Sequence, residues 1–208
     1  MPKPFWPRHL AAVAKQVGTP EKRPARATGG TAATRDAARR RLLDRAKGLI
    51  GATTDDGWDW RKGSLSALDV FPFAAEPHLR EAMLADFQRD QAGYRKIGGG
   101  SNTPRAAYFL RRHANVRHCL QRLDLYYPRG GAVEPAPGMV VFFEWPEDRG
   151  RFNFKPDRSG IIESVDKGEV VRAIMAVQDA DRWRVRLVTL PEASRVAIVA
   201  YGDCPGLV

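Results

Sequence analysis

Five β-branched and aromatic runs follow one another in the C-terminal part of the chain: Met139 to Trp145, Ser159 to Val165, Glu169 to Val177, Arg184 to Leu190 and Val196 to Tyr201. Gly, Pro and Asp punctuate them, which is the pattern of strands. Asp166-Lys167-Gly168, between the second and third, is a tight hairpin signal. Strands joined by such short connections pair antiparallel. Before about Asn115 the apolar residues recur at helical spacing instead. Helices first and antiparallel strands afterwards define an α+β domain.

The first helix is expected to start near Thr34 or Asp36, either of which can cap it, and to carry Leu42, Leu43, Ala46, Leu49 and Ile50 to a stop at Gly51. Its outer face, Arg39, Arg40, Arg41 and Arg45, reads as solvated. Ala52 to Ser66 reads as a polar loop anchored by Trp58 and Trp60. A second helix follows from about Pro77 through Leu79, Met83, Leu84 and Phe87, with its end marked by Gly93. Gly98-Gly99-Gly100-Ser101-Asn102 is a flexible turn, since it lacks the Lys-Ser/Thr that a phosphate-binding loop requires. Thr103 and Pro104 then open a third helix through Tyr108, Phe109 and Leu110.

The net charge of +10 is unevenly placed. Residues 1–47 hold 12 Lys and Arg against 3 Asp and Glu, and the remainder holds 22 against 21. The division expected is a flexible basic arm over residues 1–34, an α+β domain over 35–203 and a C-terminal tail over 204–208. A basic arm suits polyanions such as nucleic acid or an anionic surface. Met139 to Phe143 and Val196 to Ala200 fall far short of the roughly 20 apolar residues that span a bilayer, and Leu10 to Ala14 is shorter than a secretory core of about 7–15 residues. A cytoplasmic protein, or one exported by a non-classical route without a signal peptide, is therefore expected. Cys119 and Cys204 are the only cysteines; neither forms a Cys-x-x-Cys pair or zinc spacing with His9, His78, His113 or His118, and no metal or cofactor is predicted.

Several segments resemble the papain-like fold of NlpC-type cell-wall peptidases and amidases, in which N-terminal helices pack on a curled antiparallel sheet. Pro137 to Phe143 is similar to that family's Pro-Gly-Asp-hydrophobic-hydrophobic-Phe entry into its first core strand. Ser159 to Glu163 resembles the next strand, normally His-hydrophobic-Gly-Ile-hydrophobic, and Val170 to Ile174 the one after it, which in one bacterial branch reads hydrophobic-hydrophobic-His-Asn-Ile. Asn102 to His113 resembles the same branch's Asn-Leu-x-x-Phe-hydrophobic-Arg-Arg segment. The resemblance covers about residues 47 to 201.

It implies an enzyme that has lost its chemistry. In the family a cysteine at a helix N-terminus attacks an amide, with the helix dipole and a facing histidine favouring the thiolate. The branch's Gly-hydrophobic-Cys-Thr-Asp-Val motif is most similar here to Ser66-Ala67-Leu68-Asp69-Val70, which puts Ala67 in the nucleophile's place. The histidine position falls on Arg158 or Ser159, and Arg172 takes the third place. Ser64 or Ser66 at the helix start would still need a base, and no histidine follows His118.

Other thiols and acids offer further candidates. Asp203-Cys204-Pro205-Gly206-Leu207-Val208 is similar to the family's Asp-Cys-Ser-Gly-Leu-Val, yet that motif opens a helix and this chain ends within it. Cys119 beside His118 would point to the opposite face if the segment is extended, so both cysteines are fallback thiols only. Glu144 and Glu163 would form a carboxylate pair if they lay about 5–10 Å apart. The reading that follows is a non-catalytic papain-fold protein that binds a peptide, glycan fragment or partner protein, with Trp58, Trp60, Asp69, Trp145, Arg158 and Arg172 as candidate contacts. The alternatives are an active cysteine amide hydrolase on peptidoglycan and a polyanion binder acting through the arm.

Overall fold

The computed structural model describes residues 31–54, 70–75, 77–106, 109–110, 112–144, 158–179, 182–195 and 197–207. Thr31 caps the first helix, its hydroxyl accepting from the Thr34 amide at 3.2 Å, so α1 (Ala32–Gly48) starts slightly earlier than expected. Ala38, Leu42 and Ala46, spaced four apart, form its buried stripe. β1 is only Thr53–Thr54. The short α2 (Val70–Ala75) is followed by α3 (His78–Arg89), which begins after Pro77 as expected. Gly93 does not end that helix. Asp90 does, and its carboxylate then caps α4 (Gln91–Gly98) by accepting from the Gly93 amide at 3.1 Å.

The third helix departs further from expectation. Thr103 to Ala106 makes turns, and the helix α5 runs His113–Arg122, through residues expected to be extended. Cys119 and His118 are therefore helical neighbours, not strand neighbours.

β2 (Tyr126–Pro128), β3 (Val140–Phe143), β4 (Arg158–Asp166), β5 (Glu169–Asp179) and β6 (Arg182–Thr189) follow; the four-residue α6 (Glu192–Arg195) precedes β7 (Ile198–Gly202). All pairs are antiparallel, in the order β1-β6-β5-β4-β3-β7-β2. The sheet is open, with β1 and β2 at its two edges, rather than curled as the resemblance implied. Lys167 and Gly168 both take positive φ (48° and 78°), the two-residue turn that matches strand twist between β4 and β5.

Period-2 alternation divides the sheet into two faces. Val140, Phe142, Ile161, Ile174, Ala176 and Val185 join the core beneath the helices. Val141, Phe143, Ile162, Ala173 and Met175 form a second core, onto which Val133 and Ala136 of the β2–β3 connection pack. Phe71 of α2 meets Phe142 edge-on at 6.4 Å, and Phe87, Tyr94 and Phe109 close a ring cluster among α3, α4 and the turn before α5, with centroids 5.2–5.6 Å apart.

The C-terminal segment is part of the body rather than a loose tail. Asp203, 1% exposed, accepts from Arg39 Nε at 2.7 Å, Arg39 Nη2 at 3.0 Å and the Tyr127 hydroxyl at 3.0 Å. Arg39 thus points inward, correcting its assignment to the solvated face. Arg41 donates to the Leu207 carbonyl at 3.2 Å, and Cys204, Pro205 and Leu207 are buried. Gly138, at φ 84°, lies so close to the Arg39 carbonyl that any side chain would collide with α1. Among the described residues no helix is long and apolar enough to cross a membrane.

Candidate functional site

β4 turns the neighbours Arg158 and Ser159 to opposite faces of the sheet. Arg158, opposite Phe143, lies on the second face; Ser159, opposite Phe142, lies on the face beneath the helices, in line with Ile161. Ser159 is thus the residue presented to the helices, and it is 2% exposed.

A histidine approaches Ser159 from α5. His113, the first residue of α5, sets its Nε2 3.4 Å from the Ser159 hydroxyl. A buried amide lock positions it: Asn102 and Asn115 exchange side-chain hydrogen bonds at 2.8 Å each, Asn102 also donates to the Tyr94 carbonyl at 2.7 Å, and Asn115 to the Phe109 carbonyl at 2.9 Å. These bonds tie the first turn of α5 to the end of α4 and to the turn around Phe109. No short-range pattern announces the pair, because His113 and Ser159 are 46 positions apart.

The polar character continues around them. Arg117 lies one turn after His113 on the same side of α5. Glu144, fully buried, continues β3 past Phe142, on the face of Ser159. Burial pushes the Tyr126 phenol up to about 12, with Arg117 opposing and Glu144 reinforcing the shift, so α5, β2 and β3 bring these charges into one electrostatic neighbourhood. Tyr126 also stacks obliquely on Phe142, with centroids 5.4 Å apart. The assembly is a polar cluster in an apolar wall, holding a hydroxyl, an imidazole, a carboxylate and a guanidinium. It contains no thiol.

The remaining candidates are not brought to it. Arg172 ion-pairs with Glu163 at 2.9 Å and donates to Ser164 at 3.1 Å, near the far end of β4, about 16 Å along the strand from Ser159. Glu163 is correspondingly about 20 Å along the sheet from the level of Glu144, too far for a glycosidase-type carboxylate pair. Trp58, Trp60, Ala67, Asp69 and Trp145, like Ser64 and Ser66, lie outside the described residues.

Neither thiol is prepared for attack. Cys119 is fully buried, and burial, reinforced by Asp86, pushes it up to about 12; its neighbour His118 is engaged with Asp90 at 2.8 Å. Cys204 is also pushed up to about 12 by burial and donates to the Pro205 carbonyl at 3.5 Å. At pH 7 such a thiol is ionised in on the order of one molecule in 10⁵. No group of three or more His, Cys, Asp or Glu among the described residues is arranged to hold a metal ion. Comparison with known proteins found no matching family model, no matching curated protein and no matching solved structure.

Proposed function

We propose that this is a papain-like-fold binding protein, related to NlpC-type cell-wall amidases and peptidases but without their thiol chemistry, that takes a peptide, a glycan fragment or a partner protein above the N-terminal end of β4. The observation that carries the reading is the state of the two cysteines. Both are buried, and both are pushed up to about 12. The polar cluster of His113, Ser159, Glu144 and Arg117 supplies the few oriented donors and acceptors that a ligand site sets in an otherwise apolar wall. Titrating the isotopically labelled full chain with soluble muropeptides tests this. Amide shifts centred on residues 113–117 and 158–161 are expected; shifts elsewhere, or none at millimolar ligand, count against it.

A second reading rests on the His113–Ser159 contact itself. A serine hydroxyl within reach of an imidazole is the minimal arrangement for acyl transfer. Covalent labelling of the folded chain by a fluorophosphonate probe, lost in both Ser159→Ala and His113→Gln, would favour this reading over simple binding. An unlabelled wild-type chain would remove it.

A further inference from the structure

The near balance of 22 cations against 21 acids beyond residue 47 conceals a division. Residues 91–123 hold seven Lys and Arg and no Asp or Glu, which leaves 15 against 21 for the rest of that part of the chain. A basic segment is thus set into an otherwise acidic body.

The fold gathers that charge around one turn. α4 ends at Gly98, Gly99 redirects the chain at φ 76°, and the turns from Thr103 to Ala106 lead on towards α5. Arg95 and Lys96 lie in the last turn of α4 and Arg105 in the turns that follow, and all three are exposed. Arg112, at the head of α5, lies so close across Gly98 that a Cβ there would strike its Nη1. A Cβ on Gly99 or Gly100, by contrast, would meet nothing within 4 Å. Beneath them the fully buried Asn102 is held by the Tyr94 carbonyl and by Asn115, so the turn rests on a fixed base.

The cations of this segment divide by what they already touch. Arg122 is engaged with Asp86 and Asp90, and Arg117 belongs to the neighbourhood of Tyr126 and Glu144. Arg95, Lys96, Arg105 and Arg112 form no ion pair among the described residues.

We propose that the surface formed by Arg95, Lys96, Arg105 and Arg112 around the glycine turn binds the phosphate backbone of a double-stranded nucleic acid, independently of base sequence. The four side chains meet phosphate oxygens, and Gly99 and Gly100 let the strand approach the main chain. Two observations select this occupant. A single strand is held by stacking its bases on accessible rings, whereas Tyr94 and Phe109, the aromatic side chains described in this segment, are fully buried. An anionic bilayer is gripped where apolar side chains enter it beside the cations, whereas Ile50, Leu84 and Leu187, the large apolar residues exposed among those described, all lie outside residues 91–123. The inference goes beyond the reading of the β4 site and is separable from it, since muropeptide shifts are expected at residues 113–117 and 158–161 and duplex shifts at 95–105 and 112.

The test titrates the isotopically labelled full chain with a short mixed-sequence DNA duplex, its separated single strands, polyglutamate and phosphatidylserine vesicles. Residues 1–47 add an attraction of their own, so binding is read residue by residue and as differences between variants. The duplex should shift the amides of residues 95–105 and 112 at low salt. Replacing both Arg95→Gln and Arg105→Gln should weaken duplex binding about ten- to fiftyfold at moderate salt and flatten the slope of log K against log salt by about two. Lys167→Gln, which removes a cation from the β4–β5 turn, should leave that slope unchanged. Gly100→Asp, which places a carboxylate in open space among the cations, should weaken binding while the spectrum of the free chain stays the same elsewhere. Duplex shifts confined to other residues, an unchanged slope in the double variant, or equal shifts of the same amides by single strands, polyglutamate or vesicles would each overturn the proposal.

Discussion

Two buried polar clusters on this sheet are built differently. At the β7 end, Asp203 receives a two-pronged, charge-assisted grip from Arg39 and a third bond from Tyr127, all at 2.7–3.0 Å. At the β4 end, Ser159 and His113 meet at 3.4 Å, the long limit of a hydrogen bond. The first geometry fastens: it holds α1 against the C-terminal segment, with Gly138 allowing the close approach. The second sets an imidazole and a hydroxyl near one another without a charge-assisted grip between them. Burial of polar atoms thus gives a tight ion pair at one end of the sheet and a long contact at the other.

The sharpest break of this contrast comes from removing each acceptor. Asp203→Ala should cost about 3–5 kcal/mol in chemical denaturation, because it strands the Arg39 guanidinium in a largely buried place. Ser159→Ala should cost no more than about 1 kcal/mol while abolishing any ligand-induced shift at β4. Equal losses in the two variants would erase the distinction. Next in size is Asn115→Ala, which leaves the Asn102 side chain and the Phe109 carbonyl without their partner and should cost about 1–3 kcal/mol. A double-mutant cycle between Asn102 and Asn115 should show coupling, since the two share a network.

Much of this was legible in the chain, and the part that was not has a physical pattern. All five strand runs appear within a few residues of their expected limits, because each is long and bounded by Gly, Pro or Asp. β1 and β2 were invisible: two and three residues, one of them Pro128, carry no period. α5 was misread because Arg112 gives it no side-chain cap, whereas Thr103-Pro104, which looks like a helix start, makes a turn. Arg39 reads as one of a solvated row until Asp203, 164 positions away, is brought beneath it. His113 is hidden for the same reason, since Ser159 lies 46 positions further along the chain. Long-range polar pairing is what sequence periodicity does not encode.

A smaller effect lies in the helical corner. Asp90 is held below its ordinary value near 3.8, first by the hydrogen bond from His118, then by the Gly93 amide, with Arg122 adding to it. A carboxylate lowered on folding contributes stability that is present above the unfolded value and lost as pH falls through the lower folded value. The stability that the Asp90 carboxylate adds over Asp90→Asn should therefore shrink as pH falls below about 5 and be lost in stronger acid. A difference unchanged down to pH 2 would contradict the pairing. Smallest in structural consequence are the thiols: iodoacetamide at pH 8 should leave folded Cys119 and Cys204 unmodified while labelling both in the unfolded chain.

Incubation of the full chain with soluble muropeptides, followed by mass spectrometry of the fragments, tests the proposed lack of thiol chemistry most directly. Fragment masses should stay unchanged over hours at ligand concentrations that shift the amides around Ser159. Cleavage of an amide bond that disappears in Cys119→Ser or Cys204→Ser, with the fold intact, would contradict the account.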